Sequence, residues 1–332
     1  MRYGLPYKGS KNGIAEWIVS ELPQADVFCD LFFGGGAITH RAMLSGKYKD
    51  FVINDIDGRL PKLFVDCAYG KYTVENHPEW VSRAEFNAKK DDDAYIALVW
   101  SFGNNGKDYL YGADIEDMKY AYHKAVYEGD TDALKPWGYN LTKSNKNGVY
   151  DRYLDYQRQI KKQNPSIQLE VVTRQTEIER LQSLQSLQSL QSLQSLQSLQ
   201  SLQSLQSLQS FGVDYQDVPI PKGALIYCDI PYLGTNCGKY QGFDHDRFYA
   251  WAEEQENIYI SEYTMPEGFI PFAHKEKTVL SASDGNDYKA DEMIYTNERT
   301  YNSLKMSKKE YIKLNFAEQL TLFDMGFNPY QE

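Results

Sequence analysis

The chain has 332 residues, 42% hydrophobic and 14% aromatic, enough apolar content to bury a substantial core and too much for a disordered protein. Its net charge of −11 weighs against a nucleic-acid partner unless basic residues are gathered in one segment. No apolar run is long enough to span a membrane, and the opening lacks a secretory n-region and h-region. The cysteines (Cys29, Cys67, Cys228, Cys237) and scattered histidines show no metal-type spacing, so a cytoplasmic chain without a metal site is expected.

In chain order, Leu5 to Gly13 is a glycine-punctuated loop containing Tyr7 and Lys11. Ile14, Trp17, Ile18 and Leu22 then recur at helical spacing up to about Pro23. Asp26 to Phe33 reads as a strand, broken by Gly34-Gly35-Gly36, and Ala37 to Leu44 reads as a helix. Strand, glycine turn and helix bring backbone amides close to a ligand at the helix start. A second strand, Phe51-Val52-Ile53, ends in Asn54-Asp55-Ile56-Asp57. An acidic residue about twenty positions after the glycine turn is placed to hold ribose hydroxyls. Thr39 stands where a third glycine would serve a pyrophosphate, so the pattern favours a nucleoside cofactor over a dinucleotide.

Leu60 to Tyr69 and Asp93 to Phe102 look helical. From Gly103 to about Gln216 the periodicity fades into a Tyr-, Asn-, Lys- and Gly-rich region that reads as an inserted lobe. The expected division is 1–102 and 217–332 for the two parts of a main domain, with 103–216 inserted. Between Lys135 and Arg180 nine basic residues face five acidic ones, so this acidic protein carries a locally basic segment fit to meet a phosphate backbone. Lys143, Asn145, Lys146 and Arg152 are its candidate DNA-binding residues.

Inside the insertion lie ten tandem copies of Leu-Gln-Ser, residues 181–210. As an α-helix the tract would be about 45 Å long, with successive leucines about 300° apart and spiralling round the axis. The expectation is a helical rod standing off the lobe, its leucines only partly buried; a disordered spacer is the alternative.

The run Gly223-Ala224-Leu225-Ile226-Tyr227-Cys228 reads as a buried strand ending at Asp229-Ile230-Pro231-Tyr232. In open α/β sheets ligands bind at such strand ends. The Asp229 carboxylate and the Ile230 carbonyl could accept both hydrogens of a planar amine while Tyr232 stacks on its ring; an Asp that merely caps a turn would look the same. Further strands are expected at Asn257–Ser261, Lys277–Ser281 and Glu292–Asn297.

Together these segments resemble the DNA adenine methyltransferases of the Dam type, in the form common in phages and mobile elements. Tyr7-Lys8-Gly9-Ser10-Lys11 resembles the family's N-terminal cofactor motif, and Asp30-Leu31-Phe32-Phe33-Gly34-Gly35-Gly36 its acidic, aromatic and glycine motif. Asn54-Asp55-Ile56-Asp57 is similar to its ribose-binding segment, and Asp229-Ile230-Pro231-Tyr232 to its catalytic Asp-Pro-Pro-Tyr. The resemblance implies an α/β, Rossmann-like S-adenosylmethionine-dependent methyltransferase sheet with an inserted, mainly helical target-recognition lobe. It implies cofactor contacts from Tyr7, Lys11, Asp30, Phe32, Gly34, Gly36, Asp55 and Asp229. It also implies methylation of N6 of an adenine flipped out of double-stranded DNA, with Asp229, Ile230, Pro231 and Tyr232 as the catalytic set. Ile230 replaces the usual first proline, keeping the carbonyl but losing the fixed φ.

A smaller resemblance, Gln319-Leu320-Thr321-Leu322-Phe323, is to the pentapeptide that docks bacterial proteins on the replication sliding clamp, through Gln319, Leu320, Leu322 and Phe323. A helix end packing Leu320 and Phe323 on the core is the alternative. The expected protein is a monomer of a bacterial or phage-infected cell's cytoplasm. An RNA adenine methyltransferase, or an inactive DNA-binding protein on the same fold, are the competing readings. The target sequence and any restriction partner are not legible.

Overall fold

The computed structural model describes residues 3–163, 176–188, 190, 207–232, 242–280 and 287–311. The chain divides into two compact units, Met1–Ala224 and Leu225–Glu332.

In the first unit, Val27–Asp30 (β1) and Asp50–Asn54 (β2) pair in parallel, with Phe28 opposite Phe51 and Asp30 opposite Ile53. Both are short apolar runs buried over most of their length, as parallel strands covered by helices must be. Ala15–Glu21 (α1) packs on Ala37–Ser45 (α2), burying Ile18, Val19, Ala42 and Met43. Arg59–Ala68 (α3) buries Leu60, Leu63, Phe64 and Cys67, the i, i+3, i+4, i+7 stripe of a helix with one apolar face. Arg83–Lys89 (α4) and Ala94–Val99 (α5) follow, the first capped by Ser82 and the second by Asp93.

Where the sequence pattern fades, the structure has two long helices, Glu116–Glu128 (α6) and Val149–Gln163 (α7). Their buried faces are made of Tyr122, Ala125 and Val126 on one and Tyr153, Tyr156 and Ile160 on the other. Tyrosine fills the core positions and satisfies its hydroxyl locally, as when Tyr122 donates to the Tyr153 carbonyl at 3.0 Å. That substitution hid the helical period.

The Leu-Gln-Ser tract departs from the expected rod at both ends. Glu177–Gln185 (α8), N-capped by Thr176, is followed by a single 3₁₀ turn, Ser186–Gln188. Leu181, Leu184, Leu187 and Leu190 are all buried. An α-helix alone would swing leucines of period three away from the core, but a 3₁₀ turn has three residues per turn and stacks them on one face. The helix is pinned by Arg180, which donates to the carbonyls of Val99 (2.8 Å), the last residue of α5, and of Ser101 just after it. The last copy runs into Gln209–Phe211 (β3), which pairs in parallel with β2, Ser210 opposite Ile53. The middle of the expected rod, 191–206, lies outside the described residues.

In the second unit, Leu225–Asp229 (β4) pairs in parallel with Ile258–Ser261 (β5). Phe269–Leu280 (β6) and Asp287–Asn297 (β7) form a long antiparallel ladder, and β7 runs antiparallel to β5. His245–Glu254 (α9) and Glu298–Tyr311 (α10) accompany them. Asn297 ties the end of β7 to α9 by donating to the carbonyls of Ala252 (2.7 Å) and Gln255 (2.8 Å). The protein is a mixed α/β, Rossmann-like fold. Among the described residues no helix is long and apolar enough to cross a membrane.

Candidate functional site

The first unit gathers most of the expected cofactor residues around the glycine turn. Gly34 and Gly36 have φ of 50° and 68°, left-handed values that side-chain-bearing residues rarely adopt, and they let the chain reverse between β1 and α2. The Leu5 amide donates to the Gly35 carbonyl at 2.6 Å, laying the N-terminal segment along the turn. A Cβ on Gly34 would stand 3.5 Å from the Tyr7 ring. Asp55 is buried, with one carboxylate oxygen accepting the Gly34 amide (2.7 Å) and the other the Asp57 amide (2.8 Å). Both oxygens of the carboxylate are thus turned toward the glycine turn and the start of the next loop. Asp30, also buried, accepts from the Thr39 hydroxyl at 2.6 Å, joining the end of β1 to the first turn of α2. Lys11 opens a 3₁₀ turn capped by Ser10.

Beneath this turn His40 is fully buried, and its Nδ1 accepts the Gly4 amide at 3.0 Å. Burial pushes its pKa down to about 4, so the ring is neutral with Nδ1 unprotonated.

Sequence reasoning missed the segment that follows the repeat. Asn54 exchanges two bonds of 3.1 Å with the backbone of Val213, and the Tyr215 ring lies 5.5 Å from Phe32. Gly212 and Gly58 meet backbone to backbone: a Cβ on Gly212 would fall 2.7 Å from the Gly58 Cα. A glycine directly after the last repeat unit and Phe211, followed by Asp214, was the available signal of a turn at a strand end.

In the second unit Asp229 ends β4, partly accessible, and Ile230 behind it is buried. The Pro231 carbonyl accepts from His245 Nε2 at 2.8 Å, tying the loop to the start of α9. Tyr232 donates its hydroxyl to Glu292 Oε1 at 2.6 Å, and Tyr263 meets its ring edge-on, centroids 4.6 Å apart at 78°. Burial first, then the charges of Asp229 and Glu292, raise the Tyr232 pKa well above its ordinary value and keep the phenol a donor. Glu292 and Tyr263 are 60 and 31 residues from Tyr232, and no local pattern pointed to them.

A family model for the D12 class N6 adenine-specific DNA methyltransferases matches residues 7–187. The chain belongs to that family. The matched span holds the Tyr7–Lys11, Asp30–Gly36 and Asn54–Asp57 segments, and Asp229–Tyr232 lies beyond it. No curated protein matches the chain. As a D12 methyltransferase the protein is an enzyme that methylates adenine in DNA and draws on a methyl donor.

In this methyltransferase the candidate DNA-binding residues stand on a braced segment. Gln163 exchanges hydrogen bonds with the backbone amide (2.8 Å) and carbonyl of Asn140, and Gln159 does the same with Thr142 (2.8 and 3.0 Å). The Ser144 amide donates to the Tyr156 hydroxyl at 3.2 Å. Two residues of extended chain rise about 6.6 Å and four residues of helix about 6 Å, so the glutamines of α7 meet every second residue as a neighbouring strand would. Lys143, Asn145 and Lys146 on this segment are exposed. Arg152 is differently employed: it donates to the carbonyls of Val126 (2.9 Å) and Asn147 (2.7 Å) and holds the segment's end against α6. Gln319, Leu320, Leu322 and Phe323 lie outside the described residues.

Proposed function

We propose that the chain transfers the methyl group of S-adenosylmethionine to the N6 amine of an adenine flipped out of duplex DNA. The observation that carries this reading is the state of the Asp229–Tyr232 segment. The partly accessible Asp229 ends a buried parallel strand, and three residues on stands an aromatic ring whose hydroxyl is held by Glu292 and which Tyr263 meets at 78°.

The adenine amine is a poor nucleophile because its lone pair is delocalised into the ring. Asp229 and the Ile230 carbonyl would accept its two hydrogens and draw the lone pair back onto nitrogen. Tyr232 would stack on the flipped base, whose extraction from the duplex this contact helps offset. Asp229 need not be a strong base, since the donor sulfonium supplies the drive when bound. In the first unit Tyr7, Asp30, Phe32, the turn at Gly34 and Gly36, and Asp55 would hold the donor, with Lys11 at their edge. The donor set fits a nucleoside: backbone amides at a turn, a buried carboxylate beside it, and aromatic rings. Lys143, Asn145 and Lys146 would meet the DNA, with residues 103–216 as the target-recognition lobe. The pentapeptide Gln319–Phe323 would dock on a sliding clamp; its test is a pull-down in which Phe323→Ala loses a retention that the wild type shows.

The deciding experiment is methylation of a mixed-sequence plasmid by the purified enzyme, with N6-methyladenine read by sequencing. One short motif, marked by wild type and unmarked by Asp229→Ala, is the expected result. No adenine mark from a protein that still binds S-adenosylmethionine would overturn the reading.

A further inference from the structure

We infer that Glu292 is a positioning residue for the target base, acting through Tyr232. The inference deepens the reading above and rests on its assignment of Tyr232 as the base-stacking ring.

The Tyr232 hydroxyl meets Glu292 Oε1 at 2.6 Å, the length of a charge-assisted O–H···O bond. Glu292 is only 2% exposed. A carboxylate is costly to bury, so it is not placed there as a source of net stability. Its geometric effect is specific. The bond fixes the far end of the Tyr232 ring, and Tyr263, standing at 78° to it, blocks rotation about the ring's long axis. Tyr263 is itself held at its carbonyl by the Tyr295 hydroxyl, 3.1 Å away on the same strand as Glu292. The Tyr232 ring is thus held at its hydroxyl by Glu292 and flanked by the Tyr263 ring, whose own backbone is tied to the same strand. A base stacked on the Tyr232 ring inherits its tilt, and methyl transfer is sensitive to tilt because the amine lone pair must point along the breaking S–CH₃ bond.

The test uses the full chain, mixed-sequence plasmid DNA and radiolabelled S-adenosylmethionine, and reads the single-turnover rate and the KM for S-adenosylmethionine. Glu292→Gln keeps an acceptor and should hold the rate within about threefold, whereas Glu292→Ala should slow it about tenfold to hundredfold with the KM unchanged. Tyr232→Phe removes the same bond from the other side and should fall in the same range. Combined with Glu292→Ala it should be no slower than the slower single variant. If Glu292→Ala does not fold, Tyr232→Phe with and without Glu292→Gln carries the same comparison.

Additive losses, or a wild-type rate for Glu292→Ala while Tyr232→Ala is slow, would overturn the positioning role and leave the proposed function standing. A wild-type rate for Tyr232→Ala would instead overturn the role of Tyr232 itself, and this inference with it.

Discussion

The Asp55 carboxylate accepts the Gly34 amide at 2.7 Å, so the residue expected to hold the ribose also closes the glycine turn. One side chain thereby joins the end of β2 to the loop after β1. Asp55→Asn keeps one acceptor oxygen and presents a donor to the other amide. It should weaken S-adenosylmethionine binding about tenfold and lower the melting temperature as well. Calorimetric titration and a thermal scan on the same preparation check both, and a loss of affinity without a loss of stability would separate the two roles.

Lys146 and Arg152 are neighbours in the basic segment with different employment. Lys146 is exposed, whereas the Arg152 guanidinium is spent on the carbonyls of Val126 and Asn147. Lys146→Ala should leave stability alone and reduce the slope of log affinity against log salt by about one. Arg152→Ala should cost about 2 kcal/mol of stability. DNA binding across a salt series and urea denaturation distinguish them.

The glutamine bracing of residues 140–142 makes a separate prediction. Replacing Gln159 and Gln163 by alanine removes four hydrogen bonds to that backbone. Trypsin should then cut at Lys143 or Lys146 faster than in wild type, while the far-ultraviolet circular dichroism stays unchanged. Equal cutting rates would mean that the segment is held by something else.

His40 predicts an acid-sensitive fold. The folded ring stays neutral down to about pH 4, whereas the unfolded chain's imidazole takes a proton near its ordinary value of 6.5. Between these values the unfolded state binds the extra proton, so stability falls as pH drops from 6.5 towards 4, by about 3 kcal/mol. His40→Asn can still accept the Gly4 amide and should flatten that part of the profile. Urea denaturation at stepped pH measures it.

Legibility in the sequence followed locality. The strand, glycine turn and helix at residues 27–45 could be read because one apolar run, three glycines and one helical period lie side by side. Asp229–Tyr232 stood out because a proline and an aromatic follow an apolar strand directly. The helices at 116–128 and 149–163 could not be read, because Tyr122, Tyr153 and Tyr156 occupy positions where a leucine would have marked the period. Glu292 was invisible for another reason. It meets Tyr232 only after β4, β5 and β7 have taken their places, and nothing local distinguishes it from other acidic residues of an acidic chain. Val213 and Tyr215 lay hidden behind the repeat, which drew the reading towards a rod.

The repeat is anchored at each end by residues outside it, Arg180 on the carbonyls of Val99 and Ser101 at the end of α5 and Phe211 at the end of β3. Between them every unit is a synonym of every other. When a unit is lost or gained in frame, the four residues after Arg180 and the four before Gly212 still spell what they spelled before. The buried leucines and the strand beside β2 are therefore rewritten from identical letters. The gene can stutter here without misspelling the protein's interior.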